Sequence, residues 1–204
     1  MKALLQKDLY ETVTSMRAVF VAMLLFGTVA LISPNSSFFV PYLVILPGTI
    51  VSSILNFEEQ NGWMVYAGTL PCRRRTQVAE KYLFGALLSL FGSSLALLVL
   101  FVYGLRGKEA MGVGPALATY LGIGLIAPAL LLPFAYWLGA EKGRYITMFL
   151  IIFMIMIILT KSGSDGSVLP ASVPAWAFLP ACIVLYLVSM YISMRVYEKK
   201  ELTR

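Results

Sequence analysis

Histidine is absent from this sequence, and charged residues make up only 13% of it. Without histidine, the chain lacks the side chain that most often acts as a general base near neutral pH and that commonly binds metal ions. The phosphate-binding pattern G-x-x-x-x-G-K-[ST] is also absent, since the nearest fragment, at residues 104–108, has the wrong spacing. We therefore predict no catalytic, cofactor-binding or metal-binding residue in this chain.

Cysteine is scarce as well, because the chain contains only Cys72 and Cys182. Two cysteines cannot form the framework of several disulfides that stabilises small secreted domains. The topology derived below places these two residues on opposite sides of a membrane, too far apart for a disulfide. We interpret both as packing residues.

Hydrophobic residues, by contrast, make up 59% of the chain, and the mean hydropathy is +0.83. Such a composition is typical of an integral membrane protein. A helix needs about 20 apolar residues to cross a hydrocarbon core of roughly 30 Å, and six segments reach or approach that length. We predict an all-α integral membrane protein with six transmembrane helices, at residues 18–33, 38–55, 82–105, 113–139, 145–160 and 174–194.

The six predicted spans contain no Asp, Glu, Lys or Arg. Ionisable groups inside the membrane usually carry proton relays, ion coupling and voltage sensing, so their absence leaves no means of using an ion gradient. If the chain moves a substrate actively, another polypeptide must supply the energy.

The basic residues indicate the orientation of the chain in the membrane. Of the 16 Lys and Arg residues, all except Arg106, Lys108 and Lys161 fall on one side of the predicted topology. The positive-inside rule therefore places both termini in the cytoplasm. The net charge of +6 is explained by this topology signal, and without a soluble basic domain we expect no nucleic-acid partner.

Several spans contain prolines and small residues that predict a kinked, closely packed bundle. Pro41 and Pro47 should bend the second span, and Pro128 and Pro133 the fourth. A stripe of small side chains spaced four residues apart on the third span should let another helix approach closely, and it consists of Gly85, Ser89 and Ser93.

We interpret residues 1–204 as one transmembrane domain with two unusual segments outside the spans. Residues 1–17 have apolar side chains at roughly helical spacing, which predicts an amphipathic helix in the membrane interface; a plain cytoplasmic flank is the alternative. Residues 161–176 form the longest outer connection, and its apolar, proline-rich second half suits a re-entrant segment as well as a simple loop.

The most distinctive stretch is the cytoplasmic connection at residues 56–81. Asn56 followed by Glu59 resembles a helix capping box, and Gly68 suits a left-handed helix stop. The same stretch has an aromatic and apolar face at helical spacing, which consists of Trp63, Tyr66 and Leu70.

After Pro71, which suits the start of a new helix, comes a cluster of three arginines, Arg73 to Arg75. These arginines suit contacts with lipid phosphates as well as with a protein partner. The large aromatic side chains of Trp63 and Tyr66 instead indicate that their helix packs into a groove.

This connection resembles that of type 2 ABC transporter permeases, especially the compact bacterial ones. The shared pattern is an acidic pair, a tryptophan, a leucine-proline turn with arginine, and a valine before lysine-tyrosine. In this chain the pattern is carried by Glu58, Glu59, Gly62, Trp63, Tyr66, Thr69, Leu70, Pro71, Arg73, Arg74, Arg75, Val78, Lys81 and Tyr82. Cys72 departs from it, since the family often has a small or aliphatic residue there.

The resemblance implies a permease in the bacterial cytoplasmic membrane that exports an amphipathic or hydrophobic substrate, such as a peptide, lipid or drug. Its first cytoplasmic connection would be the coupling helix, seated in a separate ATP-binding cassette subunit that binds ATP and magnesium. Six spans would be half a transporter, so a second permease, identical or homologous, is expected. The ATPase-coupling residues implied are Glu58, Glu59, Trp63, Tyr66, Leu70, Pro71, Arg73, Arg74 and Arg75.

Two other classes of protein remain open at the level of sequence. A membrane-embedded enzyme would need convergent polar groups at membrane depth, and the spans contain neither histidine nor acidic residues. A channel, receptor or structural module would work without an ATPase. Stoichiometric recovery of an ATP-binding subunit with the purified chain separates this module from a permease.

Overall fold

A computed structural model shows that the protein is built from helices. It describes residues 2–15, 17–32, 36–63, 66–67, 73–106, 113–164 and 175–199, and no strand occurs among them. The all-α prediction is therefore confirmed for the part of the chain described. The helices are α1 (Lys2–Ser15), α2 (Arg17–Ile32), α3 (Ser36–Gln60), α4 (Arg74–Leu105), α5 (Val113–Ser164) and α6 (Ala175–Lys199).

Four helical segments among the described residues are long and apolar enough to cross a membrane, namely Phe39–Gln60, Arg74–Leu105, Gly114–Gly139 and Ala177–Lys199. They correspond to the second, third, fourth and sixth predicted spans. A fifth span arises if Leu4–Thr14 and Arg17–Ile32, which meet at 67°, are taken together as one broken span. The prediction of six spans is thus supported for four, and the full number stays a prediction.

The predicted fourth and fifth spans belong to one helix, α5, which is broken at Gly139. This residue has φ 78° and ψ 175°, a left-handed conformation that a residue with a Cβ rarely adopts. A Cβ at Gly139 would also lie 2.8 Å from Glu59 Oε1 on α3. The backbone conformation therefore favours glycine here, and a larger residue would also displace the end of the Glu59 side chain.

Helix α3 lies at the centre of the bundle and packs against α2, α4 and α5. Within the apolar window of its span, 67% of the residues are buried, compared with 17% for α6. Pro41 and Pro47 lie inside α3, and Pro128 and Pro133 inside α5, as the sequence predicted. The peripheral helices α4 and α6 therefore present broad apolar faces away from the protein.

The small residues of α4 do face other helices closely. Ser89 Oγ donates to the Gly124 carbonyl of α5 at 2.9 Å, and a Cβ at Gly85 would lie 3.3 Å from Pro128 Cβ. Within a membrane, such close approach and interhelical hydrogen bonds replace the hydrophobic effect as the source of helix association. The stripe thus fixes α4 against α5.

Residues at one end of the bundle bring five helical segments together. This end, which we call the α1 end, contains α1, the last turns of α3 and α6, the first turns of α4, and the Gly139 break in α5. The opposite end contains the last turn of α2 and the last turn of α4. The Arg106 guanidinium and the Tyr103 hydroxyl of α4 donate there to carbonyls of α2.

Candidate functional site

The α1 end holds a group of five charged side chains, which we call the charged cluster: Lys7, Asp8, Glu11, Glu58 and Lys81. Lys81 Nζ lies 2.6 Å from Asp8 Oδ2 and 2.8 Å from Glu58 Oε1. Lys7 Nζ pairs with Glu58 and lies 3.3 Å from Glu11 Oε2. The cluster therefore joins α1, α3 and α4 through shared charges.

The three central members of the cluster are almost fully buried. Asp8 is 1% exposed, Glu58 is 3% exposed and Lys81 is 5% exposed. A buried charge is tolerated only when an opposite charge and hydrogen bonds compensate for its lost hydration. Lys81 bonds to both carboxylates, and Lys7 is their other partner, so removal of the Lys81 ammonium group would leave two buried negative charges with only the partly exposed Lys7 to compensate them.

Helix α1 is held by its polar side. Asp8 and Thr12 face the bundle, one turn apart, and the Thr12 hydroxyl donates to the Asp8 carbonyl at 2.7 Å. The apolar side chains of Leu9 and Val13 are exposed. Leu9 and Val13 are therefore free to contact lipid, whereas Leu5 packs against the core, and the interfacial position of this helix stays a prediction.

Asp8 lies within the amphipathic helix predicted at residues 1–17, but the sequence did not predict its pairing with Lys81. The two residues are separated by 73 positions. In the sequence, Asp8 precedes the first predicted span and Lys81 precedes the third. Charged residues in such positions are typical of a membrane flank and do not by themselves indicate a contact. Only the packing of α1 against α4 shows that these two charges meet.

Glu80 extends the polar region toward α5 and α6. Its side chain is buried, and its Oε1 atom has no hydrogen-bond partner among the described residues. Glu80 and Asp8 line a cavity of about 30 Å³, together with Tyr136 of α5 and Tyr197 of α6. Polar groups from α1, α4, α5 and α6 therefore meet directly behind the charged cluster.

Above the cluster lies a surface depression of about 560 Å³ between α1 and the residues that follow α3. We call it the aromatic groove, and its aromatic walls are Tyr10, Phe57, Trp63 and Tyr66. The Trp63 and Tyr66 rings lie 5.3 Å apart, and Lys7 Nζ lies 4.4 Å from the centroid of the Trp63 ring. Tyr66 is 57% exposed, so the groove presents aromatic surface outward.

The end of α3 differs from the sequence-based prediction. Asn56 lies inside α3, which continues to Gln60, so the interpretation of Asn56 and Glu59 as a capping box is wrong. The local pattern is overridden because Leu55 and Glu58 both continue the buried face of the helix. Within this connection, Gly62 has a left-handed conformation, at φ 69°, and it turns the chain toward Trp63. Gly68 lies outside the described residues.

The two residues of the predicted acidic pair point to different neighbours. Glu58 lies within the charged cluster. Glu59 lies against Gly139, at the break where the second half of α5 begins. A carboxylate is favoured at the positive N-terminal end of a helix. Glu59 therefore connects the end of α3 to the connection between the predicted fourth and fifth spans.

The remaining predicted coupling residues are distributed along the start of α4. Arg73 precedes α4 and is exposed, Arg74 is half-buried, and Arg75 forms an ion pair with Glu198 of α6. Leu70, Pro71 and Cys72 lie outside the described residues. The structure thus brings Glu58, Trp63 and Tyr66 together at the groove, while Arg75 lies apart, beside α6.

Three carboxylates of the charged cluster are close enough to bind one cation, since their oxygens lie within 4.8 Å of one another in Asp8, Glu11 and Glu58. The ammonium groups of Lys7 and Lys81 already lie among these oxygens. Two fixed positive charges neutralise the negative charge that would attract a metal ion. The geometry fits an ion-pair network.

The family of ABC-2 family transporter proteins matches residues 3–198, which is nearly the whole chain. No curated protein and no solved structure matches the chain significantly. The family match agrees with the four apolar spans and with the resemblance that the connection at residues 56–81 carries. The chain therefore belongs to the ABC-2 transporter family, and it is a multi-pass membrane protein of the permease type found in ABC transporters.

Proposed function

We propose that this permease is the membrane half of an ATP-driven exporter and that the aromatic groove receives a separate ATP-binding cassette subunit. In this proposal, that subunit binds ATP and magnesium. The permease converts the movement of the subunit into a conformational change of its helix bundle. The observation that carries the proposal is the position of the exposed aromatic groove directly above the buried charged cluster.

The groove has the composition of a protein-binding surface. Tryptophan and tyrosine are enriched among the residues that dominate protein interfaces, especially where they lie beside desolvated pockets. Trp63 is half-buried against Lys7, so its ring is held in place before a partner binds. A preorganised anchor loses less conformational entropy on binding. We therefore assign Trp63 and Tyr66 as the anchors for the ATPase subunit.

The charged cluster provides a route from the groove into the bundle. Lys7 contacts Trp63 and Glu58, and Glu58 contacts Lys81. The next residue, Tyr82, hydrogen-bonds through its hydroxyl to two serines of α6, Ser189 at 2.8 Å and Ser193 at 2.7 Å. A displacement of the groove would therefore move α1, α4 and α6 as one unit.

The burial of Glu58 and the position of Glu59 refine the roles expected from the family resemblance. With 3% exposure and two lysine partners, Glu58 acts in this proposal from behind the groove, by fixing the end of α3. Glu59, beside Gly139, holds two connections in fixed positions relative to each other: the one that follows α3 and the one between the predicted fourth and fifth spans. The direct contacts to the ATPase are then made mainly by the aromatic side chains.

The arginines at the start of α4 keep the two roles that the sequence left open. Arg73 is exposed and suits a contact with lipid phosphates or with the ATPase subunit. Arg75 is held by Glu198, so it secures α4 to α6 at this end. We propose that Pro71 and this cluster fix the coupling region against the membrane surface.

The proposed exporter contains two permeases, identical or homologous, in the bacterial cytoplasmic membrane with their termini in the cytoplasm. Broad apolar faces on α4 and α6 leave room for a second permease or for lipid. All charged residues of the four apolar spans lie within about two helical turns of the α1 end. The remaining uncharged length favours an amphipathic or hydrophobic substrate, such as a peptide, lipid or drug.

Recovery of a partner from detergent extracts tests the proposal. The tagged chain should retain an ATP-binding subunit at stoichiometric yield, and Trp63→Ala should lower that yield by about tenfold or more, as expected for an interface anchor. Trp137→Ala is the matched control, because Trp137 is exposed near the α1 end but lies outside the groove. Transport by the reconstituted chain without any ATPase would contradict the proposal and favour a channel or structural module.

A further inference from the structure

The far half of the bundle contains a second depression that the proposed function does not use. It lies between α2 and α4, has a volume of about 380 Å³, and we call it the α2–α4 crevice. Gly27 brings α2 close to α3, since a Cβ there would lie 3.5 Å from Leu43 Cδ1. The side chains of Phe91 and Leu98 on α4 form the facing wall. The volume falls within the range of about 300–1,000 Å³ that is typical of small-molecule sites.

The walls of the crevice are almost entirely apolar, so they suit a hydrocarbon chain. Its single polar lining side chain is Thr28, and the Thr28 hydroxyl already donates to the Leu25 carbonyl at 2.9 Å. A polar group placed in the crevice would lose hydration without gaining a hydrogen bond. Leu24 and Leu98, on opposite walls, are exposed, so the crevice opens sideways toward the surroundings of the bundle. An acyl chain could enter it from the membrane.

A cation lies at the end of the crevice. Arg106 follows the last residue of α4, and its Nη1 atom donates to the carbonyl of Leu31, a lining residue, at 2.6 Å. Tyr103, one turn earlier, donates to the Ala30 carbonyl at 2.5 Å, so the ends of α2 and α4 are held together. Arginine has five N–H donors, and one bond to Leu31 leaves most of them available. Among the described ion pairs, none involves Arg106.

The combination of an apolar crevice with a cation at its end identifies the chemistry of the occupant. Surrounding lipid tails are as apolar as the crevice, so hydrophobicity alone cannot retain one lipid in preference to the others. A guanidinium forms charged hydrogen bonds with a phosphate, and it favours a headgroup of net negative charge, because a zwitterionic headgroup already compensates its phosphate with an ammonium group. We infer that the α2–α4 crevice binds an anionic phospholipid, with its phosphate on Arg106 and one acyl chain along Leu31, Gly27 and Leu24.

Photo-crosslinking with a phosphatidylglycerol that carries a diazirine on one acyl chain tests this site directly. The full chain is placed in phosphatidylcholine nanodiscs with a trace of the probe, irradiated and mapped by mass spectrometry. We expect adducts concentrated on residues 24–31 and 91–99, and we expect competition by unlabelled phosphatidylglycerol.

Two substitutions separate the charge from the shape of the site. Arg106→Gln retains a donor for the Leu31 carbonyl but removes the positive charge, and it should reduce the adducts about tenfold, as expected for the loss of a charged hydrogen bond. Leu24→Trp should fill the crevice and displace the adducts from α4. Arg195→Gln is the matched control, since Arg195 is also exposed but lies at the α1 end, bonded to the Tyr191 hydroxyl, and it should change nothing.

Two outcomes would overturn the inference. Adducts spread equally over the exposed face of α6, at residues 183–192, and unaffected by Arg106→Gln would mean that only bulk lipid contacts the bundle. Disulfide formation between two copies that carry Leu24→Cys would mean that a second permease covers the crevice. The readout is lipid binding and needs no ATPase, so failure of the proposed exporter function would leave this result unaffected.

Discussion

The two ends of the bundle are held together in different ways. At the α1 end, buried ion pairs connect α1, α3 and α4, and an exposed ion pair connects α4 to α6. At the opposite end, Tyr103 and Arg106 of α4 donate to carbonyls of the last turn of α2. These carbonyls belong to the group that has no partner within the helix.

The difference in chemistry suggests a difference in mechanical behaviour. A hydrogen bond to a helix-end carbonyl holds two helices, whereas most charges of the cluster have two or more partners of opposite charge. An end fixed by shared buried charges resists separation strongly, because every broken pair leaves an uncompensated charge. The α1 end should therefore move as one body, as the proposed coupling to an ATPase subunit requires.

Replacement of Lys81 tests the rigid end and should have the largest effect on stability. Lys81→Met removes the buried one of the two lysines that pair with the carboxylates of Asp8 and Glu58, so we expect the free energy of unfolding to fall by about 3–5 kcal/mol. Thermal unfolding in detergent measures the loss.

The matched control for this substitution is the triple variant Asp8→Asn, Glu58→Gln, Lys81→Met, which removes both negative charges together with the positive one. It should recover much of the lost stability. If Lys81→Met unfolds at the same temperature as the unmodified protein, the charged cluster is not what holds the α1 end together.

Replacement of Gly139 tests the contact between the end of α3 and the break in α5 at the α1 end. Gly139→Ala places a Cβ at φ 78° and within 2.8 Å of Glu59 Oε1. We expect a loss of about 1–3 kcal/mol from the backbone conformation, while the end of the flexible Glu59 side chain moves aside at little cost. Gly114→Ala is the control in the same helix, since a Cβ there meets nothing within 4 Å, and it should cause no loss. Equal stability of the two variants would remove the special role of Gly139.

Removal of a hydroxyl tests the opposite end and should have a smaller effect. Tyr103→Phe leaves the buried Ala30 carbonyl without this hydrogen bond, so we expect a loss of about 1 kcal/mol. Tyr145→Phe is the control, because Tyr145 is exposed. A loss for Tyr103→Phe as large as that for Lys81→Met would contradict the proposed contrast between the two ends.

Neutralisation of Arg75 should have the smallest effect of the series. The ion pair between Arg75 and Glu198 is exposed, and water and salt screen such pairs strongly. We therefore expect the unfolding temperature of Arg75→Gln to match that of the unmodified protein, at low salt and at high salt alike. A large decrease that high salt abolishes would show that this pair belongs to the structural core of the α1 end.

The sequence alone predicts the features that depend on composition and on local pattern. Apolar length predicted the four long apolar helical segments found among the described residues, and the pattern around Trp63 predicted the family. Gly139 also ends a predicted span at the correct residue, because a glycine followed by charged residues marks the end of an apolar helix.

Features that depend on contacts between distant residues could not be predicted. To predict the pairing of Asp8 with Lys81, one must know which side of α1 faces the bundle, and tertiary packing determines that side. The same applies to Glu58, which looks like a surface acid in the sequence and is buried in the fold. At Asn56, a short capping pattern misled the prediction because tertiary packing continued the helix through it.

The most direct test of the coupling site is the ATPase activity of the permease reconstituted with its ATP-binding subunit. If the aromatic groove couples the two proteins, Trp63→Ala should retain basal ATP hydrolysis but lose both its stimulation by substrate and transport, while Trp137→Ala should retain all three. Transport and stimulation by Trp63→Ala at the level of the Trp137→Ala control would contradict the assignment of the groove as the coupling site.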